Sequence, residues 1–277
     1  MKLSAIEKKQ YLSVRLILTN FCNFKCSYCK EHFNEHALSI NDLDNIFKNI
    51  FRLAELKNKK IIIVLIGGEV TLKQEELFYA LEIIHKNKEK FKSIGIFSNL
   101  STKINIEKLK FYLNELNADL LSSYHPEFTP NNTNFLKNFK ELKEYIVEFN
   151  IMCKTLKDLP NCRQIQKDLE FGDIVFNYYD LMENQEKYKP LLKLSEFQYL
   201  KFWFKDTKNT DCYMKNHQIV VNADGQIYRC NLDIIYRNHL NLNFKTLLND
   251  EKLLTIGGIS KCPYNSCFCE GSDLPDF

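Results

Sequence analysis

Val14-Arg-Leu-Ile-Leu-Thr19 leads through Asn20-Phe21 into Cys22-Asn-Phe-Lys-Cys26-Ser-Tyr-Cys29, so a strand-like apolar stretch runs straight into three thiols. The strand pattern recurs at residues 61–67, 93–98, 119–124, 147–153 and 174–179. Most of these are near-continuous apolar runs, as expected of parallel strands buried on both faces. Helical periodicity fills the gaps. Leu43, Ile46, Phe47, Ile50, Phe51 and Ala54 follow it, as do Leu77, Phe78, Leu81 and Ile84. Ile106, Leu109, Leu113 and Leu116 repeat it, and so do Phe135, Phe139, Leu142 and Ile146. Thr71 with Gln74 predicts a capping box at the second helix, and residues 160–170 predict a further helix. Strands alternating with helices over residues ~12–180 define an α/β chain with a parallel sheet, curled by right-handed crossovers into a partial or complete barrel.

In such folds binding groups gather at the C-terminal ends of strands. The thiol loop follows the first strand. Gly67-Gly68-Glu69 ends the second, Ser98-Asn99 the third and Ser123-Tyr124-His125 the fourth, so four polar signatures converge on one face. His125 with Glu127 is a candidate to face a substrate, and Asn177 and Tyr178 at the end of the sixth strand are candidate cavity residues.

The chain has 277 residues, 45% hydrophobic and 26% charged, the balance of a globular protein rather than a disordered one. A formal charge of +3 argues for neither a nucleic-acid nor a membrane partner. The longest apolar run, residues 61–68, is far short of the ~20 residues that cross a bilayer. Residues 1–10 show no apolar signal core, so the expected location is cytoplasmic. There the 10 cysteines should be thiols, suited to metal ligation or catalysis. Cys153 and Cys162 are isolated, and Cys153 reads as core packing.

Three thiolates on one short loop suit an iron–sulfur cubane, leaving its fourth iron open to a ligand. A zinc site made by Cys26, Cys29, His32 and His36 is the rival on the same stretch. Near the other end, Ala223-Asp224-Gly225 reads as a hairpin turn between residues 219–222 and 226–229, with a short helix at residues 242–250. Cys212, Cys230, Cys262, Cys267 and Cys269 surround these elements, and a metal centre would staple so small a core. The division expected is a barrel over residues 1–185, a linker over 186–211 and a cysteine-rich module over 212–277.

The C-x3-C-x2-C loop after a first strand resembles the radical SAM superfamily. The resemblance implies a partial (β/α)6 barrel in which Cys22, Cys26 and Cys29 hold a 4Fe–4S cluster whose open iron binds S-adenosylmethionine. Gly67-Gly68-Glu69 resembles the family's Gly-Gly-Glu-Pro motif for the methionine end of that cosubstrate, with Val70 in place of the proline. Tyr28 falls where the family has an aromatic residue near the adenine. Ser98, Asn99 and Ser123 fall at strand ends that serve the ribose or carboxylate, and Lys154 is a further carboxylate partner. The C-terminal cysteines resemble the auxiliary-cluster modules called twitch and SPASM. Five cysteines suffice for one further 4Fe–4S cluster, and which two of Cys262, Cys267 and Cys269 would be ligands stays open. The resemblance implies reductive cleavage to a 5′-deoxyadenosyl radical, fed by a flavodoxin- or ferredoxin-type electron donor. The expected substrate is a small polar metabolite such as a sugar, an aminocyclitol or a nucleotide-linked sugar, dehydrogenated with the auxiliary cluster as electron acceptor. A peptide maturase that crosslinks or epimerises residues is the alternative. A zinc-binding protein without enzymatic activity is the alternative of another class.

Overall fold

A computed structural model describes residues 10–29, 36–198, 200, 217–230, 233 and 238–256. Strands β1 (Tyr11–Thr19), β2 (Lys60–Gly67), β3 (Phe91–Ser98), β4 (Asp119–Tyr124), β5 (Ile146–Cys153) and β6 (Asp173–Phe176) pair in sequence, all parallel. Helices α1 (Ile40–Leu56), α2 (Gln74–Lys86), α3 (Ile106–Leu116), α4 (Thr133–Leu142) and α5 (Leu159–Leu169) make the crossovers. The result is a mainly parallel eight-stranded sheet with flanking helices, the arrangement of a partial (β/α) barrel. No helix among the described residues is long and apolar enough to cross a membrane.

The burial of β1 and β2 corrects the expectation of strands buried on both faces. Leu12, Val14, Leu16 and Leu18, with Ile61, Ile63 and Leu65, are at most 1% exposed and join the core built with Leu43, Phe47, Ile50 and Leu53 of α1. Alternate residues such as Arg15, Ile62 and Val64 are only half-buried. These two strands thus pack one face tightly against helices and leave much of the other partly open, whereas residues 17–19 of β1 and 122–124 of β4 are buried on both faces.

Three boundaries differ from the sequence pattern. Ile146 opens β5 instead of closing α4, because Lys143–Tyr145 form a tight turn between them. The sixth strand stops at Phe176. Asn177 gives its N–H to the Cys153 carbonyl (2.8 Å) and its carbonyl to the N–H of Leu181, so Tyr178 begins helix α6 (Tyr178–Glu183). That helix is followed by the short α7 (Gln185–Tyr188). The helix expected over 242–250 is absent from residues 242–249; α8 (Asp250–Leu254), capped by Asn249, begins where the expected helix was to end. Upstream of it, carbonyls that a helix would use internally are taken by α1: Asn49 Nδ2 donates to Phe244 O (3.2 Å) and Thr246 O (2.8 Å), and Asn45 Nδ2 to Lys245 O (2.9 Å).

The expected hairpin is present, with Gly225 in the left-handed region its turn demands (φ 84°). Its first strand, β7 (Gln218–Val221), pairs parallel with β1, and β8 (Ile227–Tyr228) closes the edge antiparallel. Ile17 and Ile66 pack there with Val220, Ala223 and Tyr228. The hairpin is therefore part of the barrel sheet.

Two predictions test this docking. Asn49→Leu leaves the Phe244 and Thr246 carbonyls and the Leu248 N–H without their buried partner, which should cost about 1–3 kcal/mol. A lower urea midpoint, with new proteolytic cleavage near residues 243–250, is the expected outcome. Asp42 accepts from the Ser39 N–H and hydroxyl and pairs with Lys245. Partial burial acts upward on its carboxyl, but the Ser39 bonds and Lys245 outweigh it and hold the group below its ordinary range. A folded value below the unfolded one stabilises the protein above the ordinary carboxylate range, and that gain is lost as pH falls through the folded value. Denaturant midpoints of wild type and Asp42→Ala should differ at pH 7 and converge below about pH 4.

Candidate functional site

The loop after β1 is placed by backbone. Gly68 N–H donates to Thr19 O and Glu69 N–H to Phe21 O, both at 2.8 Å, so the end of β2 lies directly on the start of the thiol loop. A Cβ on Gly67 would stand 2.3 Å from Thr19 O, and one on Gly68 2.3 Å from Phe21 O. Glycine is required here by contact distance.

Glu69 is buried, with 1% exposure, and both of its oxygens are engaged. Oε1 accepts from Thr71 N (3.0 Å), Thr71 Oγ1 (2.5 Å) and Ser98 Oγ (2.7 Å), and Oε2 accepts from Asn99 N (2.6 Å). Burial pushes the carboxyl above its ordinary range, while the four hydrogen bonds favour its ionised form. The predicted capping box is absent. Thr71 serves Glu69, and Gln74 reaches across to Lys103 O (2.8 Å) and Asn105 N (2.9 Å), leaving α2 with no side-chain cap at Lys73.

The β3 end holds the loop from a second side. Asn99 Oδ1 accepts from Ser101 N (2.9 Å) and the Ser101 hydroxyl. Asn23, inside the thiol loop, donates to Ser101 Oγ (2.7 Å), and the Asn99 amide reaches Cys22 Sγ at 3.9 Å. Leu100 between them is left-handed (φ 55°), and the buried Asn138 of α4 supports the turn by donating to Leu100 O and Thr102 O, each at 2.8 Å.

The β4 end closes the third side. Phe24 stacks on Phe128 (5.1 Å) and meets the His125 ring edge-on (5.7 Å). His125 Nδ1 lies 2.7 Å from Tyr28 Oη and 3.4 Å from Cys26 Sγ, and its Nε2 lies 2.7 Å from Ser123 Oγ. Glu127 accepts from Ser27 N (2.8 Å) and the Ser27 hydroxyl, and pairs with Lys154 (3.2 Å). Burial lowers the His125 pKa to about 4, so the ring is neutral at pH 7. Burial also pushes the thiols up, Cys22 to about 12 and Cys26 to about 11, so a metal binding there must displace protons.

The structure thus brings Cys22, Cys26, Tyr28, Gly67, Gly68, Glu69, Ser98, Asn99, Ser123, His125, Glu127 and Lys154 into one connected constellation around the loop. Cys29 completes the trio at the exposed end, its N–H bonded to Cys26 O (3.0 Å). Tyr178 is at a helix start rather than a strand end. Cys230 is buried, whereas Cys212, Cys262, Cys267, Cys269 and His32 lie outside the described residues. His36 offers its backbone carbonyl to Asn20 N (2.8 Å). Among the described residues no three His, Cys, Asp or Glu side chains surround one point as a single metal ion requires. Thiolates on a cubane each bind a different iron and need no such convergence. The sequence pattern did not single out Asn23, Ser27 and Ser101, and gave Thr71 a different role, as a helix cap. Their signal was faint: polar residues inside or just after the motifs they brace.

The radical SAM superfamily model matches residues 16–184, more than half of the chain, and the chain belongs to that superfamily. It is a radical SAM oxidoreductase by that membership. No curated protein matches it significantly. Among solved structures it is similar to native anSMEcpe with bound AdoMet and Cp18Cys peptide, at 19% identity and TM-score 0.59, over 88% of this chain and 80% of that one. The complex of the same protein with Kp18Cys peptide gives 18% and 0.58 over the same shares. BtrN in complex with AdoMet and 2-DOIA gives 13% and 0.50, over 84% of this chain and 78% of that one. At these identities the likeness is one of fold.

Two measurements test the bracing of the loop. Gly68→Ala forces backbone apart at Phe21 and should lower stability by about 1–3 kcal/mol in denaturant titration. Glu127→Ala releases both Ser27 donors, so hydrogen exchange at the Ser27 amide should accelerate while the amides of β1 keep their protection.

Proposed function

We propose that the chain cleaves S-adenosylmethionine reductively and abstracts hydrogen from a peptide side chain. The observation that carries the first half is the trio Cys22, Cys26 and Cys29 on one braced loop in a chain of this superfamily. The donor set fits the group: three soft sulfurs on one short stretch are the ligands an iron–sulfur cluster takes. Cys22, Cys26 and Cys29 would hold a 4Fe–4S cluster there, and the chemistry it would supply is one-electron reduction of the sulfonium, breaking its bond to the 5′ carbon to give methionine and a 5′-deoxyadenosyl radical.

The chain's own residues do the positioning. With both Glu69 oxygens, the Ser98 hydroxyl and the N–H groups of Gly68 and Asn99 already engaged, what the second and third strand ends can offer a cosubstrate is chiefly backbone carbonyl around Gly67, Gly68 and Asn99. Tyr28, whose ring lies parallel to that of His125, is assigned to adenine contact on the family resemblance of its place in the thiol loop. Glu127 and Lys154 neutralise each other beside the loop, which assigns them to bracing rather than to proton transfer. Cys230, with Cys212 and two of Cys262, Cys267 and Cys269, is assigned to an auxiliary cluster. A flavodoxin- or ferredoxin-type donor would deliver the electron.

Peptide is favoured over small metabolite because the peptide-bound relatives superpose better than the complex with 2-DOIA. The aminocyclitol-type reading stands second on that latter likeness. Anaerobically reconstituted protein should bind about eight irons per chain if both clusters form and about four if only one does. It should release 5′-deoxyadenosine when reduced, and the variant with Cys22, Cys26 and Cys29 all changed to Ala should release none. Short Cys-containing peptides should raise that rate, with hydrogen transferred from peptide into the product. Stimulation by aminocyclitols and not by peptides would reverse the substrate assignment. Fully loaded protein that never forms 5′-deoxyadenosine would overturn the whole reading.

A further inference from the structure

His125 sits between a serine and a sulfur. Ser123, which is buried at the end of β4, places its hydroxyl 2.7 Å from Nε2, and Cys26 Sγ lies 3.4 Å from Nδ1. The ring has little freedom to leave. The His125 N–H is tied to Thr129 Oγ1 (2.9 Å), its carbonyl accepts from Phe128 and Thr129, Phe24 abuts the ring edge-on and Tyr28 lies parallel to it at 6.2 Å.

A neutral imidazole carries one N–H and one lone pair, and its surroundings choose which nitrogen has the proton. Ser123 can donate or accept. A thiolate can only accept. Once a metal has taken the Cys26 proton, a lone pair on Nδ1 would face a negative sulfur at close range. The tautomer with N–H on Nδ1 removes that repulsion, and Ser123 then donates to Nε2. Tyr28, whose hydroxyl is 2.7 Å from Nδ1 and also hydrogen-bonds to Cys26, can donate to the same sulfur.

We propose that Ser123 and His125 form a relay that sets a hydrogen-bond donor on the Cys26 sulfur and raises the reduction potential of the cluster held there. This makes them positioning residues, and it rests on the reading of Cys26 as a cluster ligand. The physical basis is that donors to a ligating sulfur stabilise the more negative, reduced cluster, as do other outer-shell hydrogen bonds at metal sites.

The test is an EPR-monitored redox titration of the reconstituted full chain, following the signal that responds to S-adenosylmethionine, with iron per chain measured alongside. His125→Leu removes the donor and should move the midpoint to a more negative potential. Ser123→Ala takes away the hydroxyl that donates to Nε2 and leaves that lone pair unpaired, which weakens the tautomer with N–H on Nδ1 and should shift the midpoint in the same direction by less. His125→Asn puts an amide N–H near the old Nδ1 position and should return the midpoint toward wild type, a rescue that a space-filling role would not produce. Wild-type midpoints in both His125→Leu and Ser123→Ala, at unchanged iron content, would overturn the relay while leaving the cluster assignment standing. If His125→Leu does not hold iron, an unchanged midpoint in Ser123→Ala overturns it alone. Wild-type protein that takes up no iron at this loop would remove the cluster assignment itself, and the relay with it.

Discussion

The ends of the first two strands touch through bare backbone, and the site is organised by that contact. Gly68 and Glu69 give their N–H groups to the carbonyls of Thr19 and Phe21, an approach that any side chain at Gly67 or Gly68 would block. The thiol loop therefore starts from a point set by the sheet itself. Glu69 extends the contact to the third strand. Burying a carboxylate costs several kcal/mol unless its oxygens are satisfied. Here Thr71, Ser98 and Asn99 satisfy them, so the group is tolerable only while the β2 and β3 ends hold this arrangement.

The remaining sides of the loop are held by side chains. Asn23 meets Ser101 on the β3 side, while Phe24, Tyr28 and Ser27 meet Phe128, His125 and Glu127 on the β4 side. Neutral and charged interactions are divided along the loop. The buried half, around Cys26 and His125, uses neutral groups and rings, where an unpaired charge would be expensive. The charged pair Glu127–Lys154 lies at the more exposed rim, where water shares the cost of its solvation. With the thiols themselves kept protonated by burial, the metal-free loop carries little net charge in its interior.

At the other edge of the sheet, α1 acts as a clamp on the chain's later part. Asn45 and Asn49 satisfy the backbone of residues 244–248, and Arg52 forks onto Asp250 at 2.8 and 2.5 Å. This holds the segment after the β7–β8 hairpin beside the first βα unit. The segment after the hairpin and the thiol loop thus depend on the same unit, β1 and α1, although they are some two hundred residues apart in the chain.

The sequence by itself determined the alternation of strands and helices, the C-x3-C-x2-C loop after the first strand, the glycine pair and the hairpin turn at Gly225. Each is written in a local period or spacing, and the family resemblance rests on those same motifs. It did not determine where Tyr178 belongs, because two adjacent tyrosines favour a strand until Asn177 spends its backbone groups on Cys153 and Leu181. Nor did it determine the state of residues 242–249, whose carbonyls are claimed by asparagines of a distant helix. Only the tertiary structure decided that Glu69 and Ser98 face each other, that Glu127 binds Ser27, and that His125 spans Ser123 and Cys26. The physical reason is common to all three. A polar side chain's role is set by the partner that satisfies it, and several of these partners lie 29 to 100 residues away, beyond the reach of any local pattern.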